Sequence, residues 1–236
     1  MGPVNPPSHE YIWILVATEY FTKWAEAVPL RKATGGVMAN FIKENIIVRF
    51  GVPYRIISDN GTPFVNSDVR KMLEFYQGKH HRSSPYYPQR NGQAEATNKT
   101  LIKIISKMSQ EYTGGWVMHL PDAFWAYRNS PKSAIGFSPF SLVYRNEVVS
   151  PAEIMTPSLR VIQMQEKEKE EEVFAAERCE DLEGLDEKRE MAKSAVANTD
   201  KRWHDNQRES VRRRTTSVKS SRLYQARHGR TVQVCT

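Results

Sequence analysis

The first 150 residues predict a mixed α/β domain. Two apolar strands form a hairpin at the start, and helical and strand-like segments alternate after it. Beyond residue 157 the composition becomes charge-rich, first acidic and then basic. A chain of 236 residues is long enough for one sizeable domain with extensions.

The hairpin is predicted between residues 11 and 30. Ile12–Ala17 is a continuous apolar run typical of a buried strand, and Ala25–Val28 has the composition of a second strand. Polar residues from Tyr20 to Lys23 separate the two runs. They predict the connecting turn.

Two helices and two short strands are predicted next. Thr34 is a candidate N-cap for a helix that ends before Gly51, and Arg55–Ser58 is predicted to be a strand. Asn66 or Ser67 is expected to cap the second helix, which Gly78 closes. A short strand is predicted at residues 79–83.

A strongly amphipathic helix is predicted from Ala94 to about Tyr112. Its core face consists of Leu101, Ile104, Ile105 and Met108, which follow helical spacing. Gly114 and Gly115 end this helix. Two further helices are expected, one through residues 124–127 and a short one after residues 136–139.

We therefore predict three regions: a core at residues 1–157, an acidic helical extension at 158–200 and a basic, disordered tail at 201–236. The acidic extension is typical of a solvated helix, and a coiled-coil partner is the alternative. The tail combines clustered arginines with Ser, Thr and Gln. Non-specific phosphate binding and a plain solvated tail both remain open for it.

The net charge and the composition of the chain indicate which classes of partner to expect. The formal net charge of +7 and the pI near 9.4 favour polyanions such as DNA, although many basic proteins bind no nucleic acid. No apolar run is long enough to cross a bilayer, and no signal peptide is recognised. The two cysteines are far apart and suggest neither a disulfide framework nor a zinc site. We expect an intracellular protein without a membrane segment.

Asp59 and Glu95 are the candidate catalytic and metal-binding residues. Asp59 follows a buried strand within Asp-Asn-Gly, which by itself is a plain turn signal. Glu95 lies in a helix's first turn, where an acid is favourable in any protein. Lys99 and Lys103 follow Glu95 at intervals of four. This stripe is either an ordinary salt-bridge ladder or a metal ligand followed by two phosphate anchors.

The loop before this helix supplies candidate DNA contacts. It carries an aromatic ring and side-chain amides of the kind that stack on bases and bind nucleic-acid strands. The candidate residues are Tyr87, Gln89 and Asn91. An ordinary turn-rich loop is the alternative interpretation.

Three segments resemble a known family. They are ISDNGTPF, SPYYPQRNGQAEATNKTL and GFSPFSLVYRNE. They closely resemble the integrase core of gypsy-type long-terminal-repeat retrotransposons, relatives of retroviral integrases, and the hairpin ILVATEYFTKWAEAVPL matches too. The resemblance covers roughly residues 2–160. It implies a ribonuclease H-like fold, a mixed five-stranded sheet flanked by helices, and a part of a Pol polyprotein.

The resemblance also implies the chemistry. The family uses an Asp-Asp-Glu triad whose last two members are separated by about 35 residues, and 35 residues lie between Asp59 and Glu95. Mg²⁺ or Mn²⁺ is the implied cofactor, for DNA 3′ processing and strand transfer. The family's first Asp precedes a Gly-Pro step on the first, central strand. Here that step is Gly2-Pro3, so the first Asp and most of its strand are expected to be absent.

We therefore expect a fragment with weakened metal binding and no catalysis. Neither Glu10, an expected surface residue, nor Glu19, expected in the hairpin turn, is a convincing substitute ligand. A non-catalytic DNA-binding or self-associating remnant is the alternative, and an unrelated ribonuclease H-like nuclease fits the motifs poorly. The family resemblance implies element ends and target DNA as partners, a possible homodimer and a nuclear location.

Overall fold

The computed structural model describes residues 2–82, 92–112, 114–167, 184–199, 201 and 231–235. These residues divide into two compact units. The first consists of Met1–Arg128 with Gln225–Thr236, and the second of Asn129–Tyr224. No helix in the described ranges combines the length and the apolar character that crossing a membrane requires.

The first unit is built on a mixed five-stranded sheet. Its strands are β1 (Trp13–Glu19), β2 (Ala25–Leu30), β3 (Arg55–Ser58), β4 (His80–Arg82) and β5 (Thr231–Cys235). The strand order across the sheet is β2-β1-β5-β3-β4. β1 pairs antiparallel with β2 and β5, whereas β3 pairs parallel with β5 and β4. With helices on both faces, this sheet confirms the predicted ribonuclease H-like class.

The central strand comes from the carboxyl-terminal tail. β5 lies between β1 and β3, the position that the family resemblance assigns to the first strand. The expectation of a disordered tail is therefore wrong for residues 231–235, and this segment takes the place of the strand that was expected to be absent. The rest of the predicted basic tail, residues 202–230, lies outside the described residues.

The helices of the first unit follow the predicted pattern. They are α1 (Gly35–Phe41), α2 (Val48–Phe50), α3 (Ser67–Phe75), α4 (Gly92–Glu111) and α5 (Leu120–Asn129). A π-helical segment, Ile42–Ile47, joins α1 to α2 and was not predicted from the sequence. Thr34 is the N-cap of α1 as expected, but its side chain makes no capping hydrogen bond.

The second unit is helical in its described part. It contains α6 (Pro139–Tyr144), α7 (Pro151–Met155), α8 (Leu159–Lys167) and α9 (184–199). Ser150 and Glu153 form a reciprocal capping box at the start of α7. Residues 168–183 of the predicted acidic helix lie outside the described residues.

Alternation along the strands builds two apolar layers. Leu15 and Ala17 of β1 pack with Val232 and Val234 of β5 in the layer that α1 and α3 cover. Ile14 and Val16 of β1 face the opposite layer. That layer includes the core face predicted for α4, where Leu101 and Ile105 are buried and Ile104 and Met108 are partly buried. The sheet is thus covered on both faces.

A buried carboxylate fixes β2 to two helices. Glu26 is 5% exposed and pairs with Arg49 at 2.8 Å and with Arg128 at 2.9 Å. The Trp24 indole donates a further hydrogen bond to Glu26 at 2.8 Å. Because the charge is paired and hydrogen-bonded, its burial is tolerated. We assign this cluster to the architecture of the sheet edge.

Asn66 organises the chain between β3 and α3. Its side-chain oxygen accepts hydrogen bonds from the Asp68 and Val69 backbone N–H groups at 2.9 and 3.0 Å. Its side-chain amide donates to the Pro63 carbonyl at 2.9 Å. Gly35 packs so closely that an added Cβ would lie 1.4 Å from Asn66 Nδ2. The predicted N-cap is confirmed, and it also tethers the loop that follows Asp59.

We predict that Asn66→Ala lowers the free energy of unfolding by about 1 kcal/mol, because two N–H groups of α3 lose their acceptor. Urea denaturation followed by circular dichroism measures the change. Ser67→Ala, at the exposed neighbouring position, is the matched control and is expected to cost less. Equal losses for both variants would contradict the capping role.

Candidate active site

Asp59 lies directly after β3, as the sequence predicts. Its carboxylate Oδ1 accepts a hydrogen bond from the Gly61 N–H at 2.9 Å, and its side chain is partly buried. A Cβ on Gly61 would lie 2.9 Å from the same oxygen. The absence of a side chain at residue 61 therefore leaves room for the Asp59 carboxylate in this orientation.

A polar pair anchors the end of β3. Ser58 is fully buried, and its hydroxyl donates to the Asp59 carbonyl at 2.9 Å. The Ser58 hydroxyl oxygen also lies 2.8 Å from His80 Nε2 on β4. Burial, and then the positive charges of Arg82 and His81, lower the pKa of His80 from its usual 6.5. The imidazole is therefore predominantly neutral at pH 7 and fixes the backbone that carries Asp59.

Glu95 lies in the first turn of α4 and is exposed. Lys99 and Lys103 are exposed on the same helix, away from the buried Leu101 and Ile105. The helix therefore presents its acid and two bases to solvent, as the sequence predicts. Tyr87, Gln89 and Asn91 lie outside the described residues.

β5 connects the two acidic positions. The Ala94 N–H donates to Gln233 Oε1 at 3.1 Å, which joins the residue before Glu95 to the central strand. Gln233 pairs with Ile57 on β3, two residues before Asp59. Asp59 follows β3 and Glu95 lies in α4, and both of these elements are hydrogen-bonded to β5. Gln233 was not predicted from the sequence, where the alternation Val-Gln-Val in the tail was the available signal for a strand.

The register also identifies the residue beside Asp59. Ser58 pairs with Val234 in the parallel ladder, and one further step along both strands brings position 235 level with Asp59. On its other side, Cys235 pairs with Val16 of β1. Position 235 is thus the residue of the central strand that is nearest in register to Asp59.

The two acids supply the right chemistry for a divalent cation but too few ligands. Carboxylate oxygens are the ligands that Mg²⁺ and Mn²⁺ prefer. Within the described ranges, no group of three His, Cys, Asp or Glu residues is placed to hold a metal ion. A two-ion site needs more carboxylates than Asp59 and Glu95 provide.

Glu19 and Glu10, the two acids considered as substitute ligands, have partners of their own. Glu19 accepts hydrogen bonds from the Thr22 backbone at 2.6 Å and from its hydroxyl at 2.7 Å, which places it in the hairpin turn as predicted. Glu10 forms an exposed ion pair with Arg31 at 3.0 Å, so its surface location is also confirmed.

Comparisons with known proteins address the family. Residues 2–88 match the integrase core domain family. The chain is also similar to three retroviral polyproteins. It is 37% identical over 134 residues to the Gag-Pol polyprotein of Avian reticuloendotheliosis virus and 32% identical over 143 residues to the Gag-Pol polyprotein of Feline leukemia virus. It is 32% identical over 145 residues to the Pol polyprotein of Radiation murine leukemia virus (strain Kaplan). The chain contains an integrase-like domain.

These matches have a defined extent. They cover 57%, 60% and 60% of this chain, and the chain spans 12%, 8% and 24% of the three polyproteins. The integrase-like domain includes Asp59, and α4 with Glu95 follows the residues that the family matches. The predictions of an integrase core and of a Pol fragment are thereby confirmed at the level of the domain.

We predict that the stability of the first unit falls as the pH drops from 7.5 to 5.5. The unfolded chain binds a proton at His80 near pH 6.5, whereas the folded state, with its lowered pKa, resists protonation. The contribution of His80 to the free energy of unfolding is therefore present above the unfolded-state pKa of 6.5 and declines as the pH falls below that value. Denaturation midpoints across this range, with an NMR titration of His80, measure the effect.

The matched control for His80→Gln is His81→Gln, because His81 is exposed in the same strand. The pH dependence is expected to shrink in the His80 variant and to change less in the His81 variant. A His80 titration midpoint at or above 6.5 would contradict the burial argument.

Proposed function

We propose that this chain is an integrase core for DNA integration, with Asp59 and Glu95 as its second and third catalytic carboxylates. The observation that carries the proposal is the attachment of both acids to β5: Asp59 follows β3, the parallel neighbour of β5, and Glu95 follows Ala94, which donates to Gln233. Divalent ions, when bound, would supply charge neutralisation at the reacting phosphate. The gypsy-type resemblance supports the further proposal that the chain comes from a retrotransposon.

We propose further that this copy is catalytically inactive. The support is the residue beside Asp59: position 235 on the central strand is Cys and not an acid. With Asp59 and Glu95 as the only carboxylates, a divalent ion would be held weakly, and the two-ion arrangement that phosphodiester transfer needs would be incomplete. Location in the nucleus, where target DNA lies, follows from the same proposal.

A non-catalytic DNA-binding role is the second candidate. Lys99 and Lys103 are exposed on the stripe that begins at Glu95, and the net charge of the chain is +7. Phosphate contacts of this kind need no metal and survive the loss of the triad. Self-association is a further part of this candidate. Trp125 is 44% exposed on α5, whereas Trp116 and Phe124 are buried, so of these three aromatic residues Trp125 is the one that offers apolar surface.

We predict that the native chain gives no joined product in a strand-transfer assay with a DNA end and Mn²⁺. We also predict that the Cys235→Asp variant binds Mn²⁺ at least about tenfold more tightly than the native chain does, because one added carboxylate ligand contributes more than 1.4 kcal/mol. Electron paramagnetic resonance of free Mn²⁺ measures the affinity. Adding Asp59→Asn or Glu95→Gln to this variant is expected to abolish the gain.

The control is Thr100→Asp, which makes the same charge change at an exposed position of α4. It is expected to leave Mn²⁺ affinity near that of the native chain. Joined product from the native chain that is sensitive to Glu95→Gln would overturn the inactivity. An equal gain in the Thr100 and Cys235 variants would remove the assignment of position 235.

We predict that Lys99→Gln and Lys103→Gln each weaken DNA binding and reduce the slope of log affinity against log salt by about 1. Fluorescence anisotropy with a labelled duplex at several salt concentrations measures both quantities. Lys71→Gln on α3 removes the same charge from another exposed position and is the control. Slopes that fall equally in all three variants would indicate a response to net charge alone.

A further inference from the structure

We propose that Gln233 is a positioning residue, which fixes Glu95 relative to Asp59 by holding the first turn of α4 against the central strand. The inference rests on the proposed function of the two acids. It adds a residue from the far end of the chain, 139 positions from its partner Ala94, to the machinery of the site.

The first turn of a helix needs partners from elsewhere. Its N–H groups have no acceptors within the helix, and a buried donor left unpaired costs about 1–3 kcal/mol. Ala94 lies in the first turn of α4 and is 2% exposed, so solvent does not supply its acceptor. Gln233 Oε1 does so at 3.1 Å. The sheet thus caps the helix directly.

The orientation of Gln233 follows from the alternation of β5. Val232 and Val234 pack in the layer that α1 and α3 cover, so the residue between them faces the α4 side. Gln233 is 2% exposed there and pairs with Thr18 on β1 and Ile57 on β3. A glutamine at this buried position is retained by its hydrogen bond rather than by apolar packing.

A short covalent and hydrogen-bonded path therefore joins the two acids. It runs from Asp59 back to Ile57, across the ladder to Gln233, through the amide to Ala94 and on to Glu95. Each step is a backbone bond, a ladder pair or one buried hydrogen bond. Removing the side-chain amide oxygen of Gln233 breaks the one step of this path that a side chain provides, the hydrogen bond to the Ala94 N–H.

The test compares Gln233→Met with Gln233→Glu in the full chain. Met matches the length of Gln but accepts no useful hydrogen bond, whereas Glu keeps an acceptor oxygen. Both are made in the Cys235→Asp background, where Mn²⁺ binding is expected to be measurable. The readouts are amide hydrogen exchange of Ala94 and Mn²⁺ affinity, with exchange at Leu101 and Ile105 as the check on folding.

We expect Gln233→Met to raise Ala94 exchange and to weaken Mn²⁺ binding, each about tenfold, which corresponds to the loss of one hydrogen bond. Gln233→Glu is expected to restore slow exchange. Unchanged Ala94 exchange in the Met variant would overturn the inference, as would faster exchange with unaltered Mn²⁺ affinity. Faster Ala94 exchange with no Mn²⁺ binding in any variant would support the helix cap and refute the proposed metal function.

Discussion

The fold depends on the pairing of β5 with two strands at once. β1 and β3 are not neighbours in the sheet, and β5 supplies backbone partners to both. Without it, each would present a free edge in the interior, where unpaired N–H and C=O groups are costly. Val232 and Val234 add apolar burial on one face, worth about 1.5–3 kcal/mol per valine. One five-residue segment thus unites the hairpin with the parallel half of the sheet.

The candidate site inherits its geometry from the same strand. β3 lies beside β5 and delivers Asp59, and α4 is hydrogen-bonded to β5 one residue before Glu95. Sheet strands and helix starts hold side chains more rigidly than loops do, which suits carboxylates that must share an ion. The central strand runs past this point of the sheet with Gln233, which binds the start of α4, and ends at Cys235.

The sequence predicted what local patterns encode. The hairpin, β3, the Asn66 cap and the buried face of α4 follow from alternation, turn residues and helical spacing within short windows. The 35-residue spacing of Asp59 and Glu95 was visible in the sequence, and the family resemblance gave it a catalytic interpretation. The π-helical segment was missed, because the spacing of Ile42, Ile46 and Ile47 fits an ordinary helix as well. Gly78 closes α3 as predicted, although Gln77 takes the left-handed conformation.

β5 was not predicted, because its partners are remote in sequence. Five residues after a polar, arginine-rich stretch resemble a disordered tail when considered alone, and the strand is stabilised by Ala17 and Ile56, more than 170 positions away. The role of Gln233 was hidden for the same reason. Its acceptor function arises only when the strand reaches the start of α4.

The most direct test is an NMR measurement of cross-strand nuclear Overhauser effects from residues 232–234. We predict contacts from Val234 to Ala17 on β1 and, in the same sample, from Gln233 to Ile57 on β3. Contacts to only one of these strands, or contacts between β1 and β3 themselves, would contradict the central place of β5.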